Sequence, residues 1–425
     1  MKKMFVGMLL ALLIPCSTVF ANGSSEQSKT AGPVVLKFIH KFPEPQRLKC
    51  FNEIVAGFEE ENPEIKIDMT AYGDEEIKDK TRVLLGSDQA PDVFFTWSGQ
   101  RVQQYVDSSV ALDITKYLDA DPTWKDSFNQ SMLNCTKKEG SYWGVPFDYS
   151  SKEMIYNKKI FAKYNISIPT TWKEFLAVCQ TLKENDIIPI AVGNQYPWVI
   201  CHYLTTLNTK LVPQQVLQDN YALKDSNFTD AGYVQAYDML LDLYNKGYMN
   251  HDVNSCTYEM SESLVIEGKA AMCYDETQIL SKYEEAMGDD WGYFDFPEIE
   301  GARGEKGYIT GGPDVFMINS STKYPEEAVK FIKYLTSKKV QAKICKDMAF
   351  LPVVKGAANS ENSLPETLEI IKKNNDAPGI AEWLDCVLNQ TVANEYLVGC
   401  QDVFNGVSPE KLMVNVSEVA NQESN

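Results

Sequence analysis

The hydrophobic pattern opens with an alternation. Val34, Leu36 and Phe38 fall on one side of residues 34–42, which predicts a first strand. Over 50–62, Phe51, Ile54, Val55 and Phe58 recur at helical spacing. Asn62-Pro63 ends that helix, because the residue before a proline avoids the helical conformation. Ile65, Ile67 and Met69 alternate as a second strand, 75–86 reads as a helix, and 92–97 as a short apolar strand after Ala90-Pro91. Strand and helix in strict succession predict an α/β domain with a largely parallel sheet.

The stretch 142–158 breaks this rhythm. Gly144 and Pro146 exclude an uninterrupted helix, Asp148 to Ser151 are polar, and 153–156 reads as a short strand. This is the pattern of a chain leaving one lobe through a hinge and starting another, with polar residues at the mouth between them; an ordinary loop entering a strand is the alternative. Helical patterns follow over 158–164, 172–185, 231–247 and 260–267, with strands at 187–192 and 270–274. Thr170 or Thr171 caps the second of these helices, with Glu174 three residues after Thr171. Further helices are expected over 325–337, 340–346, 365–374 and 380–403. No repeat of fixed period is present, which argues against a solenoid or propeller.

Composition narrows the classes. With 425 residues, 44% hydrophobic and 11% aromatic, the chain is long and apolar enough for two globular domains. Residues 1–21 read as a secretory leader: Lys2 and Lys3, an apolar segment, then Val19-Phe20-Ala21 before Asn22. Cys16, after Leu13-Ile14-Pro15, is an alternative lipid-anchored start, though Pro15 fits that pattern poorly. A Ser/Gly/Gln-rich tether is expected over 22–33. Against 40 basic residues stand 59 acidic ones, and losing Lys2 and Lys3 makes the balance more negative still. Such a field repels nucleic acid and anionic lipid, so no nucleic-acid partner is expected. None of the ten cysteines forms a Cys-x-x-Cys pair, and His40, His202 and His251 are widely spaced, so neither a metal site nor a cofactor is expected. P-loop, HExxH and GxSxG patterns are absent.

Several segments together resemble the extracellular solute-binding proteins of ABC transporters, in particular the sugar-binding family that includes maltodextrin-binding proteins. In chain order these are Phe58-Glu59-Glu60-Glu61-Asn62-Pro63, Ala90-Pro91-Asp92-Val93-Phe94, Ala111-Leu112-Asp113-Ile114 and Trp143-Gly144-Val145-Pro146-Phe147. Ile155-Tyr156-Asn157-Lys158, Pro169-Thr170-Thr171-Trp172-Lys173-Glu174-Phe175 and Glu267-Gly268-Lys269-Ala270-Ala271-Met272 follow. The set spans about 34–352. The resemblance implies a two-lobed α/β fold of the type II periplasmic-binding-protein kind, each lobe a mostly parallel sheet flanked by helices. The chain would cross between lobes near 145–150, 270–275 and 316–324. Residues 34–145 with 274–318 would form one lobe, and 146–273 with 319–420 the other. It also implies a sugar ligand, a membrane permease as partner, a monomer, and no catalysis.

Candidate ligand contacts follow from where strands end and from the family pattern. His40, Phe42 and Glu44 come just past the first strand, His40 being equally well a buried, hydrogen-bonded histidine. Trp97 and Ser98 follow the third strand, where Trp97 could also be core. Asp148, Tyr149 and Ser150 come from the crossing, Asp148 foremost, since a carboxylate at a domain junction is costly unless paired or solvated. Trp198 is the expected stacking platform of the second lobe. Where relatives often carry tryptophan, this chain has Tyr274, Glu276 and Gln278, which leaves the ligand's identity open. Gly311, Gly312 and Asp314 resemble a glycine-rich return to the cleft, with a simple turn as the alternative. Trp383 either reaches the cleft or packs in the core. An exported carbohydrate hydrolase, a metal-binding receptor and an adhesin are the rival functions. A hydrolase would need two carboxylates at a set separation, and acids are too abundant here to discriminate.

Overall fold

The computed structural model describes residues 32–224 and 227–424. The leader, the Cys16 alternative and nearly all of the expected tether lie outside these. Strands of four residues or more are β1 (Val34–His40), β2 (Ile65–Ala71), β3 (Val93–Trp97), β4 (Val145–Asn157), β5 (Ile188–Ala191), β6 (Ala270–Glu276), β7 (Trp291–Phe294) and β8 (Ile309–Ile318). They form one ten-stranded sheet in the order β2-β1-β3-β8-β4-β6-β5. β7 pairs with β4, and the short pieces Leu351–Pro352 and Ile380–Ala381 pair with β4 and β8.

Two long strands carry the chain between lobes. β4 pairs antiparallel with β8 up to Ser151, and from Lys152 onward it pairs with β6 and β7 instead. β8 starts beside Ile380–Ala381 and ends beside β3. The first crossing is thus at 151–152, just beyond the expected 145–150. Pro146 does not end the strand, because the register slips where Asp314 pairs with Asp148 but Val315 with Pro146. Phe147 is the extra residue of that bulge, a site where a proline is tolerated. The pairing is mixed: β1–β2, β1–β3 and β5–β6 run parallel, and the contacts of β4 and β8 with the other long strands run antiparallel.

The expected lobe boundaries need correction. β6 is not a crossing, because the chain returns as β7 to pair with Met154–Asn157 of the second lobe. The return to the first lobe runs through β8, ahead of the expected 316–324. Helices Pro325–Leu335 and Lys338–Met348, expected on the second lobe, cover the first. Phe331 meets Phe38 and Phe58 with ring centroids 5.2 and 5.0 Å apart, inside the core that also holds Leu36, Phe51 and Ile344. The second lobe's core gathers Met154, Leu204, Tyr237, Met272 and Tyr396. The expected 380–403 helix is interrupted: after Ile380–Ala381 and a short turn Leu384–Val387, a new helix Gln390–Asp402 starts where the Asn389 side chain accepts from the Thr391 N–H. The Thr171–Glu174 capping box forms as expected.

Candidate functional site

The C-terminal ends of parallel β1, β2 and β3 all open toward one crevice, the usual location of a ligand in such sheets. Opposite stands the second lobe's helix Trp198–Leu211, with helix Tyr258–Ile266 and the turn Leu384–Val387 beside it. Between the lobes lies a cavity of about 350 Å³. From the expected set, Glu44, Trp97, Ser150, Trp198, Glu276, Gly312, Asp314 and Trp383 line it, with Gln278.

The other expected residues do not line it. His40 and Phe42 have no exposed surface. His40 stacks on Phe51 at 4.2 Å, its Nδ1 accepts from the Phe42 N–H, and burial pushes its pKa down to about 3. Leu36, Phe38, His40 and Phe42 share the face turned to the core, and Lys41, out of phase with them, lines the cleft. Ser98 is buried and donates to the Glu382 carboxylate. Tyr149 packs in the first core, while Tyr274 packs in the second, against Tyr203 and Phe296. Gly311 serves the sheet: a Cβ there would stand 2.2 Å from the Ser150 carbonyl oxygen. Asp148 lies one layer beneath the cavity, under Gln278, whose Nε2 donates to Asp148 at 2.7 Å and to Asp314 at 3.0 Å.

The cavity floor above Asp148 carries a charge cluster. Lys41 sits 3.2 Å from Asp314 and 3.5 Å from Asp74. Burial opposes its ammonium, but Asp314, Asp74, Glu276 and Asp148 outweigh burial and raise its pKa. Burial also raises Asp314, and raises Asp148 strongly with help from the Asp314 charge. The Lys41 ammonium also stands 5.3 Å from the Trp97 ring centre.

On the opposite wall His202 stacks on Trp383 at 4.2 Å, and Trp198 meets Tyr258 edge-on at 4.9 Å. Burial first, then Lys152, Lys78 and Lys41, keep His202 neutral. Its Nδ1 lies 3.6 Å from Glu276 Oε1, too far for a hydrogen bond, and neither that nitrogen nor Asp385 Oδ1 has a hydrogen-bond partner. Burial and the Asp275 charge push Glu262 up to about 8, although Lys282 pairs with it. Sequence reasoning missed Lys41, Arg47, Lys78, Arg101, His202 and Asp385. Four of these follow β1, β2 or β3, where the carboxyl-end rule would have found them. His202 and Asp385 carried no local signal. Among the described residues no group of three or more His, Cys, Asp or Glu side chains converges as a metal site would require. Nor is any described helix long and apolar enough to cross a membrane.

Solved structures share this architecture. One, from work on xylan utilization by the thermophilic bacterium Caldanaerobius polysaccharolyticus, superposes with a TM-score of 0.84 at 24% identity, covering 91% of this chain and 99% of its own. A chitin oligosaccharide binding protein does so with a TM-score of 0.84 at 24% identity, over 92% and 99%. At these identities the likeness is one of fold. In sequence, the chain is 24% identical over 373 residues to the multiple sugar-binding protein of Streptococcus mutans, spanning 84% of this chain and 83% of that one. Residues 44–342 match the model of the bacterial extracellular solute-binding proteins, and the chain belongs to that family.

Proposed function

We propose that the protein is the extracytoplasmic sugar receptor of an ABC transporter, capturing its ligand between the lobes and passing it unaltered to a membrane permease. The observation that carries this reading is the set of tryptophans lining both walls, Trp97 on one and Trp198 and Trp383 on the other, with the carboxylates of Asp314, Glu276 and Asp385 among them. A sugar ring has apolar C–H faces and a rim of hydroxyls. Indole planes suit the faces, and ionised or polar side chains fix the hydroxyls. A ligand gripped by both walls favours closure only by its greater affinity for the closed arrangement. Similar proteins lean the same way: one is named a multiple sugar-binding protein, and another was solved in complex with stachyose. Export through the leader, cleaved after Ala21 or anchored at Cys16, would bring a monomeric receptor to the cell exterior.

Thermal unfolding of the mature protein against sugars, peptides and polyamines tests this. A sugar present at 100 times its Kd adds about 2.7 kcal/mol and raises the melting temperature, and the sugar is recovered chemically intact. A shift with peptides or polyamines and none with any sugar would overturn the sugar assignment. Release of reducing ends would replace the receptor by a hydrolase.

A further inference from the structure

We propose that the cleft accepts a sugar of only one or two rings, enclosed at both ends. This rests on the sugar-receptor reading and adds the ligand's length to it. The strand order β3-β8-β4-β6 lays the end of β3, the middles of β8 and β4, and the end of β6 side by side along the cleft floor. Its two flanks are therefore the end of β3 and the turn after β6, and the lobes touch at both.

At the β3 flank, Ser98 donates to Glu382. Gly99 (φ 70°) lies so close to the 384–387 turn that a Cβ would stand 2.7 Å from the Cys386 carbonyl oxygen. At the β6 flank, Arg47 Nη2 of the first lobe donates to the Gln278 carbonyl oxygen at 3.0 Å. A sugar lying along the floor meets protein at each end. The cavity's 350 Å³ is at the small end of the range for small-molecule pockets, roughly 300–1,000 Å³. Unpartnered polar atoms mark the β3 end as a wall that reads a terminal ring and does not pass a chain. Asp385, 7% exposed, lines the cavity with Oδ1 free, and His202, 6% exposed, does so with Nδ1 free. From the opposite lobe Arg101 lines the same end, its Nε also without a partner. A hydroxyl that donates to Asp385 and accepts from Arg101 would join the lobes directly, so a terminal ring would drive closure and a ring beyond it would prevent closure.

Calorimetric titration of two ladders tests this: xylose to xylotetraose, and galactose, melibiose, raffinose and stachyose. The expected result is tightest binding by a one- or two-ring member, and at least a tenfold fall on adding the third ring. Arg47→Ala, which removes the strut at the β6 flank, is expected to shrink that penalty severalfold. Asp385→Asn is expected to weaken the preferred short sugar at least tenfold. Affinity that rises from two rings to four would overturn the length limit and leave the sugar receptor standing. An Asp385→Asn protein binding short sugars as tightly as wild type would overturn the terminal-ring wall. Heat with peptides or polyamines, and with no member of either ladder, would remove the sugar reading and this inference with it.

Discussion

Replacing Glu153 by glutamine should flatten the pH dependence of stability. Glu153 follows the crossing point on β4, is 1% exposed, and accepts from Lys373 Nζ at 2.7 and 2.6 Å. Lys373 also donates to Asp295 at 2.7 Å, and Ser151 Oγ, which faces Glu153 at 3.3 Å, accepts from Asn374 at 3.0 Å. Burial outweighs Lys373 and raises the Glu153 carboxyl to about 7 from 4.5. A carboxyl whose pKa is raised on folding contributes stability that is fully present below pH 4.5 and is lost as the pH climbs through 7. At 1.36 kcal/mol per pKa unit, the wild type loses roughly 2 to 3 kcal/mol from this one group between pH 5 and pH 8. Glu153→Gln cannot titrate, so its stability relative to wild type should improve by that amount over the same interval. Urea unfolding of both proteins at pH 5, 6, 7 and 8 reads the difference directly, and other titrating groups such as Glu262 cancel in it. Parallel stability curves would refute the argument, since Glu153 would then titrate alike in the folded and unfolded chains.

Three contrasts probe the cleft. Trp198→Ala should weaken sugar binding by about 2 kcal/mol, roughly thirtyfold, by calorimetry, with its melting temperature in the absence of sugar little changed. Asp314→Asn takes from Lys41 its partner at 3.2 Å and should cost about 3 kcal/mol in urea unfolding, whereas Asp148→Asn, at a carboxyl whose pKa burial raises and which makes no ion pair with Lys41, should cost less. Gly312→Ala would place a methyl carbon 3.2 Å from Trp383 Nε1 at the cavity wall, so affinity should fall about tenfold with the fold intact. Gly311→Ala drives its methyl into backbone at 2.2 Å, and should lower the melting temperature before it alters affinity.

What could be read from the sequence followed the periodicity of half-buried elements. The alternation of β1, the helix around Phe51 and Phe58, and the Thr171 cap all announce themselves because one face is apolar and the other wet. Helix Trp198–Leu211 does not: from Val199 to Leu211 every residue is buried, so no stripe marks it, and Trp198 could be nominated only as a ring in a loop. β8 is buried along its whole length, which hid the second crossing for the same reason. At the site, the error was one of phase. Residues two apart on a strand share a face, so once Leu36 and Phe38 are assigned to the core, His40 and Phe42 follow them and Lys41 is the residue released to the cleft. Phase does not decide every case, however. Asp148 and Ser150 share a face of β4, yet Ser150 reaches the cavity and Asp148 lies beneath Gln278, a residue 130 positions away. Depth below a surface is set by what long-range packing places on top, and no local pattern encodes it. An acid such as Asp148, whose phase matches that of Ser150, is therefore placed only after folding has decided what covers it.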